Sequence, residues 1–414
     1  MFLLVVSILL TVFIGCKTTE EITVKAEIPS QSERIISEEK AEKEKKTEEK
    51  EPFHLKRKKT TQPSKVILSR MSLSQKIGQR FIGWLPKNIG TEGIDEKTIQ
   101  LIEQGYVSGF ILYPWNYESA EDVRRLTSTL QELAARNNPA TSLFISVDQE
   151  GGRVAAFRYS NMVRFPAPFF WAGYRDERFA KAVGYITGVE IKYLGCNMNL
   201  APVLDLYGIP DSTIIGDRSM GDDPEIVSRL GTAYIKGMHE AGVIAVAKHF
   251  PGHGVTQIDS HAELPVSDKT EEELFEREIL PFKAAIENGL DAVMTAHILY
   301  PKIDDRYPAT LSEIFVKNYL RRKLGFRGVV ISDGFSMGAL SKEYTVEESL
   351  LQCFKSGIDL ILVHSRYDVM ELKEIVFKMV EEGILTEEEI DQGARRIIRL
   401  KEKYNLLPEK DLSY

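Results

Sequence analysis

The chain has 414 residues, 43% hydrophobic and 28% charged, with 53 basic against 61 acidic side chains and a formal charge of −8. These proportions belong to a globular protein and exclude a chain that is disordered or fibrous throughout. The acidic balance offers no footprint for nucleic acid. Three cysteines cannot staple so long a fold with disulfides, nor build a cysteine-rich zinc site unaided.

Residues Phe2 to Ile14 form an almost unbroken apolar run ahead of Gly15 and Cys16. The run is shorter than the roughly 20 residues of a spanning helix and fits the apolar region of an export signal. A small residue directly before a cysteine resembles the lipobox of bacterial lipoproteins, which implies lipidation at Cys16; an uncleaved N-terminal anchor is the alternative. Both place the protein outside the cytosol, held at a membrane and facing the periplasm or cell exterior. From Lys17 to Lys65 the chain carries 13 basic and 11 acidic residues, with SEEKAEKEKKTEEKE at its centre. Such a segment cannot bury enough surface to fold alone. Within it LKRKK, Leu55 to Lys59, is either a patch for anionic lipid or part of a solvated tether. Removing the tether leaves 40 basic and 50 acidic residues, a charge of −10 on the body. The expected organisation is a signal segment over 1–16, a disordered tether over 17–65 and a folded body over 66–414.

In the body, short apolar runs recur at Arg80–Trp84, Gly109–Tyr113, Leu143–Val147, Asn199–Leu204, Ile244–Ala247, Ala292–Thr295, Val329–Ser332 and Leu360–Val363. Continuous apolar runs suit parallel strands buried on both faces. Amphipathic stretches such as Ala120–Arg136, Pro224–Ala241, Glu271–Asn288 and Val369–Glu382 lie between them. Eight strand–helix alternations predict an α/β fold, a single (β/α)8 barrel of the TIM type; a doubly wound sheet with a small partner domain is the competitor. Nearly every strand runs into a titratable group: Asp148, Asp205, Lys248 with His249, His297, Asp333 and His364. In a barrel these share the C-terminal rim, where active sites are built. A single aspartate there would be an ordinary helix cap, but polar groups at six matching strand ends are not explained by capping.

Four segments carry the chemistry: ISVDQEGGRV (Ile145–Val154) with Asp148 and Glu150, the APVLDL to GDDPE stretch (Ala201–Glu225) with Arg218, AKHFPGHG (Ala247–Gly254) followed by IDSHAELP (Ile258–Pro265), and VVISDGFSMGAL (Val329–Leu340). His249 and His253 are four apart, as in zinc proteases, but Pro251 and Gly252 between them break the helix that such a site needs. Neither a metal nor a cofactor is expected, and no strand leads into a dinucleotide or phosphate loop. Carboxylates with basic groups at a barrel mouth suit cleavage of a polyhydroxylated substrate, one carboxylate attacking an anomeric carbon while an acid protonates the leaving oxygen.

KHFPGHG with DSH, together with DQEGGR and ISDGFSM, strongly resembles family 3 glycoside hydrolases, and within them the β-N-acetylhexosaminidase (NagZ-type) branch, from about Leu73 to Leu406. The resemblance implies that Asp333 is the nucleophile, that His261 is the general acid/base with Asp259 as its partner, and that Asp148, Arg218, Lys248 and His249 bind a terminal N-acetylglucosamine. Many relatives take a glutamate acid from elsewhere; here about 80 residues follow Asp333, and the barrel needs them, so His261 fits the vacancy. Asp333 is followed by Gly334 where many relatives carry a second acid, and Met220 stands where an aromatic is usual. His253 is expected to fix its glycine-rich turn, and His297 to touch substrate or support Lys248. Asp205 is expected to act behind the site, and Cys196 and Cys353 to be buried thiols. The expected partners are an N-acetylglucosamine-containing glycan, peptidoglycan fragments or chitooligosaccharides, and a membrane, with the protein a monomer. A β-glucosidase, an N-acetylglucosaminide phosphorylase and a non-catalytic glycan-binding lipoprotein are the alternatives.

Overall fold

Segments such as FIGW, GFIL and FISV are apolar at every position because each strand is covered on both faces. In the computed structural model, which describes residues 62–159, 162–207, 214–254, 256, 260 and 262–407, they form eight parallel strands. These are β1 (Phe81–Trp84), β2 (Gly109–Leu112), β3 (Phe144–Val147), β4 (Met198–Asn199), β5 (Ile244–Phe250), β6 (Ala292–Thr295), β7 (Val329–Ile331) and β8 (Ile361–Leu362). Each pairs with the next in chain order, for example Ile82 with Gly109 and Met198 with Ile244. β8 returns to β1 through Phe81 and Ile361, and a bridge between Ile331 and Leu360 joins β7 to β8. The ring is a (β/α)8 barrel, and the pairing of first with last strand rules out the open sheet. Cys16 and the signal and tether expectations up to residue 61 lie outside the described residues.

Alternate strand residues divide between two cores. Ile82, Ile111, Phe144, Val246, Met294 and Ile331 fill the barrel interior, while their neighbours Phe81, Phe110, Ile145, Ala247, Val293 and Val330 pack outward beneath the helices. This is the period of two that a strand imposes. β4 is shorter than the sequence predicts: ladder pairing ends at Asn199, and Pro202, which has no N–H, interrupts the run before Val203 bridges to Lys248. The helix Pro224–Ala241 has its expected bounds, with Asp223 capping its first turn and Gly242 closing it in the left-handed conformation. The first described helix, Pro63–Arg70, begins three residues inside the stretch assigned to the tether. Its Ile67 and Leu68 pack on Ala394 and Ile398 of the C-terminal helix Glu387–Lys403.

Closure of the ring is reinforced by a buried cation. Arg80 enters β1 2% exposed, and its guanidinium donates to the carbonyls of Asp359 (2.6 Å), Glu389 and Ile390 (3.1 Å each) and Ile358. It thereby ties the start of β1 to the approach to β8 and to the last helix. Burial pushes its pKa down to about 10, still far above neutrality. Gly393 gives it room, since a Cβ there would lie 2.3 Å from the guanidinium carbon.

A second buried cation has a different fate. Lys401 is fully buried, its Nζ 2.8 Å from Gln79 Oε1 and over the Phe144 ring, and burial pushes its pKa down to about 7. An unfolded lysine titrates near 10.4, so between pH 7 and that value the unfolded chain binds the extra proton, and stability rises with pH. Lys401→Met is expected to stabilise the protein at pH 7 by on the order of 2–4 kcal/mol, and the gain should shrink toward pH 10 in urea unfolding. A difference independent of pH would contradict this.

Candidate active site

The glycine pair of DQEGGR turns the chain at the end of β3. Gly151 and Gly152 have φ of 105° and 56°, values that favour glycine, and a Cβ on Gly152 would meet Ala167 at 2.5 Å. The turn folds Gln149–Gly151 against Val154–Ala155 as a small hairpin. Asn199 at the end of β4 holds it from below, its side-chain oxygen accepting the Gln149 N–H and its amide donating to the Gln149 carbonyl, both at 3.0 Å. Arg153 at the hairpin tip reaches across to Asp217 (2.9 Å) and to the Ile214 carbonyl (3.0 Å). The short turn Gly216–Arg218 is thus fixed over the barrel mouth.

That arrangement brings two cations to one carboxylate. Glu150, with 1% of its side chain exposed, receives Arg218 in a two-pronged pair (2.8 Å and 2.8 Å) and Lys248 at 2.6 Å. Burial alone would raise the Glu150 carboxyl, but Arg218 and Lys248 overcome it and hold it well below the usual carboxylate range. Burial likewise works against the charge on Lys248, and Asp148 and Glu150 more than restore it. Asp148 closes the cluster at 2.5 Å from Lys248 and keeps 32% of its side chain exposed. Four buried or half-buried charges are tolerable only because each is paired and hydrogen-bonded.

Beside this cluster, Asp205 is fully buried below the rim. Its Oδ1 accepts the N–H groups of His249 (3.1 Å) and His253 (2.6 Å), and its Oδ2 lies 2.6 Å from His249 Nδ1. An ionised carboxylate only accepts, so the His249 proton sits on Nδ1. Burial opposes ionisation of Asp205, and His249 and His253 outweigh it, lowering its pKa. His253 is 2% exposed, with Nε2 3.1 Å from Ser260 Oγ. Burial, with His249 alongside, pushes its pKa down to about 4, so it is neutral at physiological pH; it braces the turn through Ser260 and also lines the cavity.

Asp333 follows β7, its Oδ1 accepting the Gly334 N–H at 2.7 Å. The segment is strapped to β8 by Ser332 Oγ, which accepts the Leu362 N–H (3.0 Å), and by Phe335 N–H, which donates to the Leu362 carbonyl (2.8 Å). Asp148, Glu150, Arg218, Lys248, His249 and Asp333 all line one cavity of about 560 Å³ at the C-terminal ends of the strands. The same cavity is lined by Tyr113, stacked on Trp115 at 4.4 Å, and by His364.

Of the residues selected from sequence, Asp148, Arg218, Lys248, His249 and Asp333 therefore converge. Asp259 and His261 lie outside the described residues, although Ser260 between them is buried, its carbonyl accepting the Ala339 N–H at 3.1 Å. Sequence reasoning noted Glu150 without assigning it a role, and it did not select Tyr113 or Trp115. A second carboxylate two residues past Asp148, directly before paired glycines, was the available signal for Glu150. Cys196 and Cys353 are buried thiols as expected, each pushed up by burial, Cys353 to about 12. Among the described residues no cluster of His, Cys, Asp or Glu could hold a metal ion.

A parallel barrel whose C-terminal rim presents carboxylates and paired cations around one cavity has the architecture of a barrel enzyme with its active site at that rim. Residues 72–400 match the glycosyl hydrolase family 3 N-terminal domain, and the chain belongs to this family of glycoside hydrolases. It is 41% identical over 264 residues to a β-hexosaminidase of Hydrogenovibrio crunogenus, covering 62% of this chain and 71% of that protein. It is 31% identical over 336 residues to β-hexosaminidase A of Pseudoalteromonas piscicida, covering 76% and 56%. The fold matches a family 3 β-N-acetylglucosaminidase from Paenibacillus sp. FPU-7 with a TM-score of 0.77 at 38% identity, over 81% of this chain and 63% of that one. The chain thus spans less than two thirds of the latter two proteins.

Asp205→Asn is expected to lower aryl glycoside hydrolysis by about 10- to 100-fold through misplacement of His249 and the turn beyond it. An unchanged kcat/KM would contradict the role given to this carboxylate.

Proposed function

We propose that the protein is a retaining, exo-acting β-N-acetylglucosaminidase that removes terminal N-acetylglucosamine from peptidoglycan fragments or chitooligosaccharides. The observation that carries this reading is the convergence of Asp333 with Asp148, Arg218, Lys248 and His249 on one cavity, together with the shared β-hexosaminidase activity in the names of its relatives. In this reading the exposed edge of the charge cluster binds sugar hydroxyls. Asp148, accessible beside Lys248, accepts hydrogen bonds, and the cations and His249 hold the ring from the other side.

Asp333 attacks the anomeric carbon, forming a glycosyl ester as the bond to the leaving oxygen breaks. His261 donates a proton to that oxygen and then removes one from the water that hydrolyses the ester. A histidine suits both tasks because its ordinary pKa of about 6.5 lies near neutrality, and a partner carboxylate, Asp259, orients the ring. We further propose that the N-terminal segment carries the protein out of the cytosol and anchors it to a membrane through Cys16, with the catalytic body acting as a monomer.

Asp333→Ala is expected to abolish hydrolysis of aryl N-acetyl-β-glucosaminides, by about 10⁴-fold or more. His261→Ala should cost about 10²–10⁴-fold on substrates with poor leaving groups and far less on activated aryl glycosides, which need no proton. Equal losses on both substrate types would remove His261 from the acid/base role. Faster turnover of the aryl β-glucoside than of the N-acetylglucosaminide would overturn the substrate class.

A further inference from the structure

His297 is left without a task by this chemistry. It lies two residues past β6, is fully buried, and stands behind the cavity rather than in its wall. Its Nε2 is 3.1 Å from the Gly334 carbonyl oxygen and its Nδ1 2.9 Å from Thr310 Oγ1. A carbonyl can only accept, so Nε2 carries a proton and donates it. Thr310 is itself held by β6 and its extension, 2.9 Å from Thr295 Oγ1 and 3.0 Å from the Ala296 carbonyl. The imidazole is therefore a rigid strut between β6 and the residue next to Asp333.

Gly334 is where the strut meets the reaction. Its N–H donates to Asp333 Oδ1, so the direction of that N–H helps to set the plane of the carboxylate. Glycine has no side chain to pack, and its carbonyl is the handle by which the neighbouring barrel can grip it. That carbonyl also accepts the Met337 N–H at 3.0 Å, a bond within its own turn; His297 supplies the bond from another strand. We propose that His297 is a positioning residue for the nucleophile, fixing Gly334 and through it the aim of the Asp333 carboxylate at the anomeric carbon. The inference rests on Asp333 being the nucleophile. His297 exchanges no proton: it governs the geometry with which the Asp333 oxygen bonds to carbon as the leaving oxygen departs. A misplacement of about 1 Å in such an attack can cost roughly 10²-fold in rate.

The test uses the full chain and three variants, His297→Ala, His297→Gln and His297→Asn. The readouts are the single-turnover rate of glycosyl-enzyme formation from an aryl N-acetyl-β-glucosaminide, the dissociation constant of N-acetylglucosamine, and the melting temperature. His297→Ala should slow the covalent step about 30- to 100-fold with sugar affinity changed by less than about threefold. His297→Gln, whose amide nitrogen can reach the place of Nε2, should recover to within about fivefold of wild type, and the shorter His297→Asn should not. If the alanine variant does not fold, the glutamine–asparagine pair alone decides, since the two differ in reach and little in polarity. Equal rates for that pair, a wild-type rate for alanine, or a loss of sugar affinity matching the loss of rate would each overturn the proposal. If Asp333→Ala still turns over at the wild-type rate, the nucleophile assignment itself has failed.

Discussion

The buried Glu150 carboxylate is the interaction on which the site depends. It sits where burial alone would favour a neutral acid, and two cations keep it ionised. Those cations come from distant parts of the chain, Arg218 from the turn after β4 and Lys248 from β5, so a single carboxylate fixes the relative placement of three segments. Removing one partner from such a group leaves an uncompensated charge, which costs far more than an exposed ion pair would. The hairpin, the glycine pair at its tip and the Arg153–Asp217 pair all deliver Glu150 and Arg218 to each other. Asp148 is then left as the accessible acid of the group.

Around that anchor the rim is divided between the charge cluster, which we propose binds the sugar, and the half that carries Asp333, the proposed nucleophile. Strands β3 to β5 supply the charge cluster and the Asp205-centred turn, each held by several hydrogen bonds. Strand β7 supplies Asp333, with β6 and β8 bracing it from either side. Functional groups borne on packed strand ends are held more closely than groups on free loops, which is the advantage of this barrel for chemistry that tolerates little misplacement.

Most of the fold was legible in the sequence because parallel strands buried on both faces leave apolar runs that cannot be mistaken for half-exposed ones. Seven of the eight strands fall within the predicted runs or within a few residues of them; β4 is short because Pro202 cannot extend a ladder. The site was partly legible, because strand ends announce rim positions: Asp148, Lys248, His249 and Asp333 stand at such ends. Arg218 was selected through family resemblance, since nothing in a turn far from any strand marks it. The pairing of Glu150 with Arg218 and Lys248, and the strut role of His297, were not legible. Both act through partners remote in the chain, Glu150 through Arg218 68 residues away and His297 through Gly334 37 residues away, and sequence spacing carries no record of such pairings.

The dependence of the proposed sugar site on Glu150 is open to one direct measurement, the dissociation constant of N-acetylglucosamine for Glu150→Gln beside wild type. The substitution keeps the shape and removes the charge that holds Arg218 and Lys248 together. Affinity is expected to fall about tenfold or more, equivalent to about 1.4 kcal/mol or more, with the fold retained by circular dichroism. Unchanged affinity in a folded variant would contradict the claim that this carboxylate organises the cations proposed to bind the sugar.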